Sequence, residues 1–139
     1  MIKREEGQSL LEFAFLIGFM LLVTVVFINL GMGVYYKIQL NQLAHDMARI
    51  YSLAEFEEPF ETSQKIDYLL DYYEGSGPFV LDVQNPARFS YAVHEEEYSD
   101  SLHMVSVRCT YQGAFFPFVG RLQIGSRHTY PKMIPVVIP

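Results

Sequence analysis

These 139 residues contain no tryptophan and one cysteine, and no proline precedes Pro59. A lone Cys109 excludes an internal disulfide, and cysteine usage then says nothing about redox compartment. It stands in an alternating apolar run, so its expected place is a buried strand. Positive charge is scarce: 10 Lys and Arg face 16 Asp and Glu, for a net charge of -6, and the bases never cluster. Without a basic patch to neutralise phosphates, nucleic acid is not an expected partner. No Ser-His-Asp or Cys-His spacing stands out. The histidines His45, His94, His103 and His128 are scattered, and no spacing recommends a metal site. The acids Glu57 and Glu58, and the run Glu95, Glu96, Glu97, lack the alternating oxygen ligands of a calcium loop and read as solvated surface. The expectation is a non-enzyme with no cofactor and no metal.

Charge is wholly absent from Phe13 to Tyr36, and in that run only Thr24 and Asn29 are clearly polar up to Met32. A helix needs about 20 apolar residues to cross roughly 30 Å of hydrocarbon, so residues 13–36 are the expected transmembrane part. A chain this small can hardly surround such a helix as a buried core. A secretory signal peptide has a shorter apolar core, of about 7–15 residues, followed by small residues. Here "LGMGVYYKIQL" is bulky where small residues belong, so the segment is expected to stay in the mature protein.

The helix is expected over 8–54. After the apolar part, Tyr36, Leu40, Leu43, Met47, Ile50 and Ala54 recur at steps of four and three, the stripe of a helix packed on one side. Some 45 residues would reach about 65–70 Å, so the lower half stands clear of the bilayer as the spine of the soluble part. "EFEEPFETSQ" ends it. Thr62 or Ser63 is expected to cap a second helix to Tyr73, with Ile66, Leu69, Leu70 and Tyr73 on one face, stopped by "EGSGP".

Strand character follows: "FVLDV" (79–83), then "NPA" as a turn, then "RFSYAVH" with Phe89, Tyr91 and Val93 inward. The link "EEEYSDS" reads as a solvated loop before "HMVSVRCTY", where Val105, Val107, Cys109 and Tyr111 alternate. "FFPFVGR", with Pro117 and Gly120, is an apolar bend. "LQIGSRHTY" places Leu122, Ile124, Ser126, His128 and Tyr130 on one face, and prolines at 131, 135 and 139 end regular structure. The expected fold is α+β, three or four short antiparallel strands with their apolar face on the lower half of the long helix. Ten Tyr and eleven Phe are expected to fill this core and line interfaces rather than stack a ligand.

At the mouth of the apolar run, "GQSLLEFAFLI" keeps a carboxylate, Glu12. An acid at the edge of hydrocarbon is costly and usually has a partner. Two readings stand open: an interfacial edge marker that snorkels to the headgroups, or a charge with a specific partner. Cutting after Gly7 would expose the amine of Gln8 one helical turn from Glu12. That amine, or one on a neighbouring subunit, could offset the carboxylate and set an axial register between helices. Gly18, Gly31 and Gly33 offer close-approach sites and Thr24 and Asn29 offer interhelical hydrogen bonds. Glycine is also common in membrane helices without any such role.

The same stretch resembles the N-terminal segment of the TadE-like family, the minor pilins or pseudopilins of tight-adherence (Flp-type) pili. "MVSVRCTYQGAFFPFVG" is similar to that family's strand, proline-bearing bend and glycine. The soluble part from residue 55 to 139 is larger than a major Flp pilin carries, which favours a minor component. The resemblance implies a pilin-like fold and residues 1–7 as a leader removed by a prepilin peptidase. Gly7 is then the residue before the cut and Gln8 the mature N-terminus, open to N-methylation. Glu12 becomes the pilin glutamate used in membrane extraction or in pairing with another subunit's amine. The implied partners are that peptidase, other major or minor pilins in a hetero-oligomer, and the pilus assembly platform in the membrane. The implied location is the inner or cytoplasmic membrane, N-terminus in the cytoplasm and C-terminal domain outside, with incorporation into an extracellular pilus. In "MIKREEG" two acids cancel two bases, so charge alone barely orients the segment. An unprocessed single-pass adaptor or sensor is the alternative, and an enzyme anchored by the helix is a third reading.

Overall fold

The computed structural model describes residues 2–54, 58–75, 81–99, 102–116 and 120–133. Helix α1 spans Ile2–Ser52, 51 residues without a break, and so reaches about 75 Å. Helix α2 spans Pro59–Gly75. Strands β1 (Phe89–Ser99), β2 (Leu102–Phe116) and β3 (Gly120–Pro131) form one antiparallel sheet in the order β1-β2-β3. The α+β architecture read from the pattern is therefore present, with three strands among the described residues.

The lower half of α1 lies on the inner face of this sheet. Leu40, Leu43, Ala44, Met47 and Ala48 are fully buried against Val105, Val107, Cys109 and Tyr111. The expected stripe is thus joined by two alanines, whose small side chains let the sheet approach closely. Tyr36 closes the upper end of the core with its ring centroid 5.7 Å from that of Tyr111. Inward positions run in register across the sheet, as in Val93↔Val107↔His128 and Phe89↔Tyr111↔Ile124. Tyr91 shares that inner face, although it remains exposed. Ile66 and Tyr73 of α2 complete the core, with Leu69 and Leu70 partly buried against it, the face expected for that helix.

Several boundaries move, each for a local reason. The second helix begins at Pro59 rather than at a Thr62 or Ser63 cap. Proline has its φ already set for a first helical turn and lacks the N–H that the turn would leave unpaired. The amides of Glu61 and Thr62 donate to the carbonyl of Glu58 at 2.9 and 3.3 Å. Ser63 Oγ donates back to the Phe60 carbonyl, so it caps nothing. The α-helical part of α1 ends at Ser52. There the amide of Met133, just beyond β3, donates to the Ser52 carbonyl at 3.1 Å and satisfies one of the orphan acceptors of the last turn.

"FVLDV" is not a strand in its described part. Leu81 and Asp82 belong to no regular element and a turn begins at Val83, with the side chains of Leu81 and Val83 plugging the core. Asn85 takes over the local backbone instead: its carbonyl accepts from Arg88 and Phe89, and its side-chain oxygen accepts from Ala87. Residues 79 and 80, most of "EGSGP", the central bend at Pro117 and the last prolines lie outside the described residues.

The acidic link is strand through Ser99, and its last two residues, 100 and 101, lie outside the described residues. Glu95, Glu96 and Glu97 belong to β1, and the pairing continues to Ser99↔Leu102 after an irregularity between Glu97 and Ser99. The strands, at 11, 15 and 12 residues, are accordingly longer than expected. Each acid meets a base on a neighbouring segment: Glu95 with Lys132 at 2.9 Å, Glu96 with Arg127 at 3.2 Å and Glu97 with His103 at 3.6 Å.

Two tests follow from the packing of α1 on β2. Leu43→Ala should lower the unfolding free energy of the full chain in detergent by about 2–5 kcal/mol, read from urea titration. Burial pushes the Cys109 thiol up to about 12, with its sulfur 3.8 Å from that of Met47. Iodoacetamide at mildly alkaline pH should therefore label Cys109 only after denaturant is added. Rapid labelling of the native chain would mean that the sheet is not seated on the helix.

Candidate functional site

Two regions of α1 carry the polar groups that composition cannot explain. The upper one is the apolar run itself. Over Gly7–Ser52 the helix is long and apolar enough to cross a membrane, its most apolar stretch has a mean hydropathy of 2.6, and none of that stretch is buried by the rest of the protein. Inside hydrocarbon the backbone needs no outside partner, because every interior amide bonds within the helix.

Gln8 and Glu12 occupy one face a single turn apart, and the Gln8 side-chain amide donates to Glu12 Oε1 at 3.4 Å, a long contact. Thr24 Oγ1 donates to the Met20 carbonyl and Asn29 Nδ2 to the Val25 carbonyl, both at 2.8 Å. These bonds hide part of each side chain's polarity. Asn29 still keeps one N–H and its carbonyl oxygen, and Thr24 its oxygen lone pairs, for a neighbour. No atom from elsewhere in the chain lies within 4 Å of where a Cβ would sit on Gly7, Gly18, Gly31 or Gly33, so all four present open surface.

These positions do not form a single face. At 3.6 residues per turn, Gly18, Asn29 and Gly33 fall within about 60° of one another, in line with Tyr36 and Leu40 below. Thr24 and Gly31 lie together on the far side, about 20° apart. The helix therefore offers two separate polar or small-residue lines, with Glu12 on a flank between them.

The second region was not foreseen from the sequence. His45 and His128, far apart in the chain, have ring centroids 5.4 Å apart in an edge-on arrangement. Asn41 Oδ1 accepts from Ser126 Oγ at 2.6 Å and from His128 Nε2 at 3.0 Å. His45 Nδ1 lies 3.3 Å from Asp46 Oδ1, which leaves its Nε2 to accept from the Tyr130 hydroxyl at 2.7 Å. On the other flank Tyr73 of α2 donates to Asp46 Oδ2 at 3.0 Å, and its phenol is pushed up by burial and by the adjacent carboxylate. A cleft of about 430 Å³ opens here, lined by Asn41, Gln42, His45, Asp46, Tyr73 and His128. A signal for this seam was available: Ser126, His128 and Tyr130 share the inward face of their strand, where apolar residues would be the default.

Chemically the seam is a fastener. Its hydroxyls and imidazoles are engaged across the boundary between α1 and β3, through Asn41 and His45. Among the described residues no group of three or more His, Cys, Asp and Glu is placed to hold a metal ion. The β1 acids are tied to bases in the same way. Glu96 has its carboxyl held below the usual range, first by the Tyr98 hydroxyl and then by Arg127. That contribution to stability is present above the ordinary carboxylate range and is lost as pH falls through the depressed value.

Comparison with known families adds one result. Residues 7–49 match the family model of TadE-like proteins, so the similarity covers the long helix from Gly7 nearly to its end. It supports a general pilin-type assignment. No curated protein and no solved structure matches the chain.

Removing the hub of the seam should loosen β3. Asn41→Ala leaves the buried Ser126 hydroxyl without its acceptor and should cost about 1–3 kcal/mol of stability. Hydrogen exchange should show the loss as faster exchange of β3 amides than of β1 amides; equal acceleration of both strands would mean the seam does not hold β3 separately.

Proposed function

We propose that the chain is a minor pilin or pseudopilin of a tight-adherence-type pilus, held in the cytoplasmic membrane by α1 until it is processed and assembled. The observation that carries this reading is the combination of a TadE-like match over residues 7–49 with a helix whose most apolar stretch is unburied. A helix left so bare needs lipid or neighbouring helices around it. A pilin-type subunit uses both in turn.

In this reading residues 1–7 are the leader, 8–54 the helix with its membrane part at about 13–36, and 55–139 the soluble domain outside the cytoplasm. Prepilin peptidase cuts between Gly7 and Gln8. Helix α1 runs unbroken through that bond, so the leader turn has to unwind in the peptidase. Glycine makes local unwinding easier, because it is about 1 kcal/mol worse than alanine in a helix interior. The new Gln8 amine then lies one turn from Glu12. It can neutralise that carboxylate within the chain or in a neighbour, and so fix the axial register of packed helices. Gly18, Asn29 and Gly33 form one helix-packing line, and Thr24 with Gly31 a second. The partners are other major or minor pilins and the membrane platform that assembles them.

Intact mass and N-terminal peptide mapping of the chain from its own membranes test the processing step. A mature protein beginning at Gln8 is expected. Retention of Met1 to Gly7 with the peptidase present would instead identify an unprocessed single-pass adaptor. Glu12→Ala should leave membrane insertion intact and reduce co-purification with partner pilins by at least about tenfold, since a charge left unpaired away from water costs more than about 1.4 kcal/mol. Normal assembly of that variant would remove Glu12 from the mechanism.

A further inference from the structure

We propose that neighbouring copies of this chain, standing side by side in a membrane, join head to tail: the aromatic, acidic outer face of α2 on one copy docks on the arginine-bearing outer face of the sheet on the next. The inference rests on α1 being a membrane anchor, and it does not depend on cleavage after Gly7.

The first face is on α2. The side turned towards α1 carries Ile66, Leu69, Leu70 and Tyr73, which leaves Phe60, Tyr68 and Tyr72 exposed at 67, 76 and 62%. Their steps of eight and four residues place them on one side of the helix. Around them α2 is strongly acidic, with Glu61, Asp67, Asp71 and Glu74 against Lys65 alone. Exposed aromatics with few competing cations are a common core for a protein interface.

The second face is the side of the sheet turned away from α1. Arg108 stands there opposite Ala92 on β1 and opposite Arg127 on β3. Like charges directly across a strand pair are unfavourable. Arg127 is occupied by Glu96 Oε1 at 3.2 Å and by Ser106 Oγ at 3.3 Å. Arg108 is exposed and has no carboxylate against it among the described residues. Beside the two guanidiniums, Gly125 faces Thr110 without a side chain, and a hollow of about 370 Å³ opens with Gln123 at its edge. A tyrosine from a partner can lie there on a guanidinium face while a carboxylate meets Arg108.

Three arguments select a second copy as the occupant. The chain is acidic overall, so two copies repel over most of their surfaces, and the Arg108 patch is a place where an acidic face is welcome. The two faces also lie at one level along α1. Tyr73, next to Tyr72, bonds to Asp46, while Cys109, next to Arg108, touches Met47. Adjacent helix residues differ by about 1.5 Å in height, so parallel copies anchored in one bilayer meet without axial displacement. Finally, α2 lies by Asp46 and Ile50 of α1, whereas β3 is fastened at Asn41 and His45 on another side. The two faces are different, so the contact is heterologous and propagates as a row or closes as a ring.

The test uses the full chain in its native membranes, carrying Tyr72→Cys and Ala92→Cys together. Copper–phenanthroline oxidation should give a ladder of dimers, trimers and larger species on non-reducing gels, while a chain with either substitution alone stays monomeric. Arg108→Glu in the double-cysteine chain should weaken the ladder at least about fivefold, and adding Asp71→Arg should restore it. Protection of the native Cys109 from maleimide confirms in each sample that the sheet is seated. Membrane fractionation of the same samples reports whether the chain is anchored at all, which separates failure of the anchor from failure of the contact. An anchored, folded chain with no ladder overturns the proposal. So does dimerisation of a chain with either substitution alone as strongly as the pair, which would mean a symmetric contact, or a ladder indifferent to Arg108→Glu, which would mean random collision.

Discussion

Read as a membrane anchor, α1 is a single rod that has to satisfy two solvents. Helix α1 carries no internal proline, and its hydrogen bonds close along the whole of Ile2–Ser52. Its upper part needs an apolar surround on all sides, whereas its lower part needs one on some sides and water on the rest. The rest of the chain answers the second requirement alone. The sheet, the Leu81–Val83 plug and α2 wrap the lower half and leave the upper half bare. Because the rod is continuous, its rotation about the axis is shared. Gly18, Asn29 and Gly33 stand above the stripe that packs on the sheet, so a neighbour on that line in the membrane stands above the same side of the soluble domain.

Two different seams fix the sheet to the helix, and they do different work. The β2 seam is apolar, with Val105, Val107 and Cys109 fully buried on Leu43 and Met47, and supplies burial without direction. The β3 seam is polar, with Asn41 and His45 of α1 meeting Ser126, His128 and Tyr130. Hydrogen bonds add little net stability but lose much when mispaired, so they fix register where oil alone would allow sliding. Lys37 reaching the Gly125 carbonyl, and Met133 closing the end of α1, continue this fastening along the strand. The sheet is therefore held in one place along a helix whose stripe repeats every turn.

The stripe from Tyr36 to Ala54 and the alternation of Val105, Val107, Cys109 and Tyr111 were legible because burial on one face imposes a period, and period survives in sequence. The inward run of β3 was legible for the same reason, although its chemistry was not. Polarity alone reads as surface, and only the helix opposite reveals that Ser126 and His128 have partners. "EEEYS" failed in the same way. Three acids in a row look like a loop until the cross-strand bases are in place, since alternate side chains of a strand reach opposite faces. "FVLDV" failed for another reason. Its described apolar residues, Leu81 and Val83, are indeed buried, but Asn85 and Pro86 impose turns on the chain that follows. The polar positions of the upper helix were all legible as anomalies. Their separation into two lines emerges only when they are placed around an axis.

Exposed charge pairs such as a contact through Arg108 are worth only about 0–1 kcal/mol between free molecules in water. Anchoring changes the arithmetic. Two copies held in one bilayer with the same orientation have already lost most of the freedom that association in solution would cost. For copies anchored in this way the apolar run sets the height and the shared orientation sets the direction. What remains is rotation about the membrane normal and lateral distance. A modest, directional patch can then choose among neighbours that oil alone would treat as equal. In the contact we propose, the acidic aromatic face of α2 and the arginine face of the sheet tell one side of a neighbour from the other. On this view the soluble domain gives direction to contacts between copies that a shared bilayer already holds at one height.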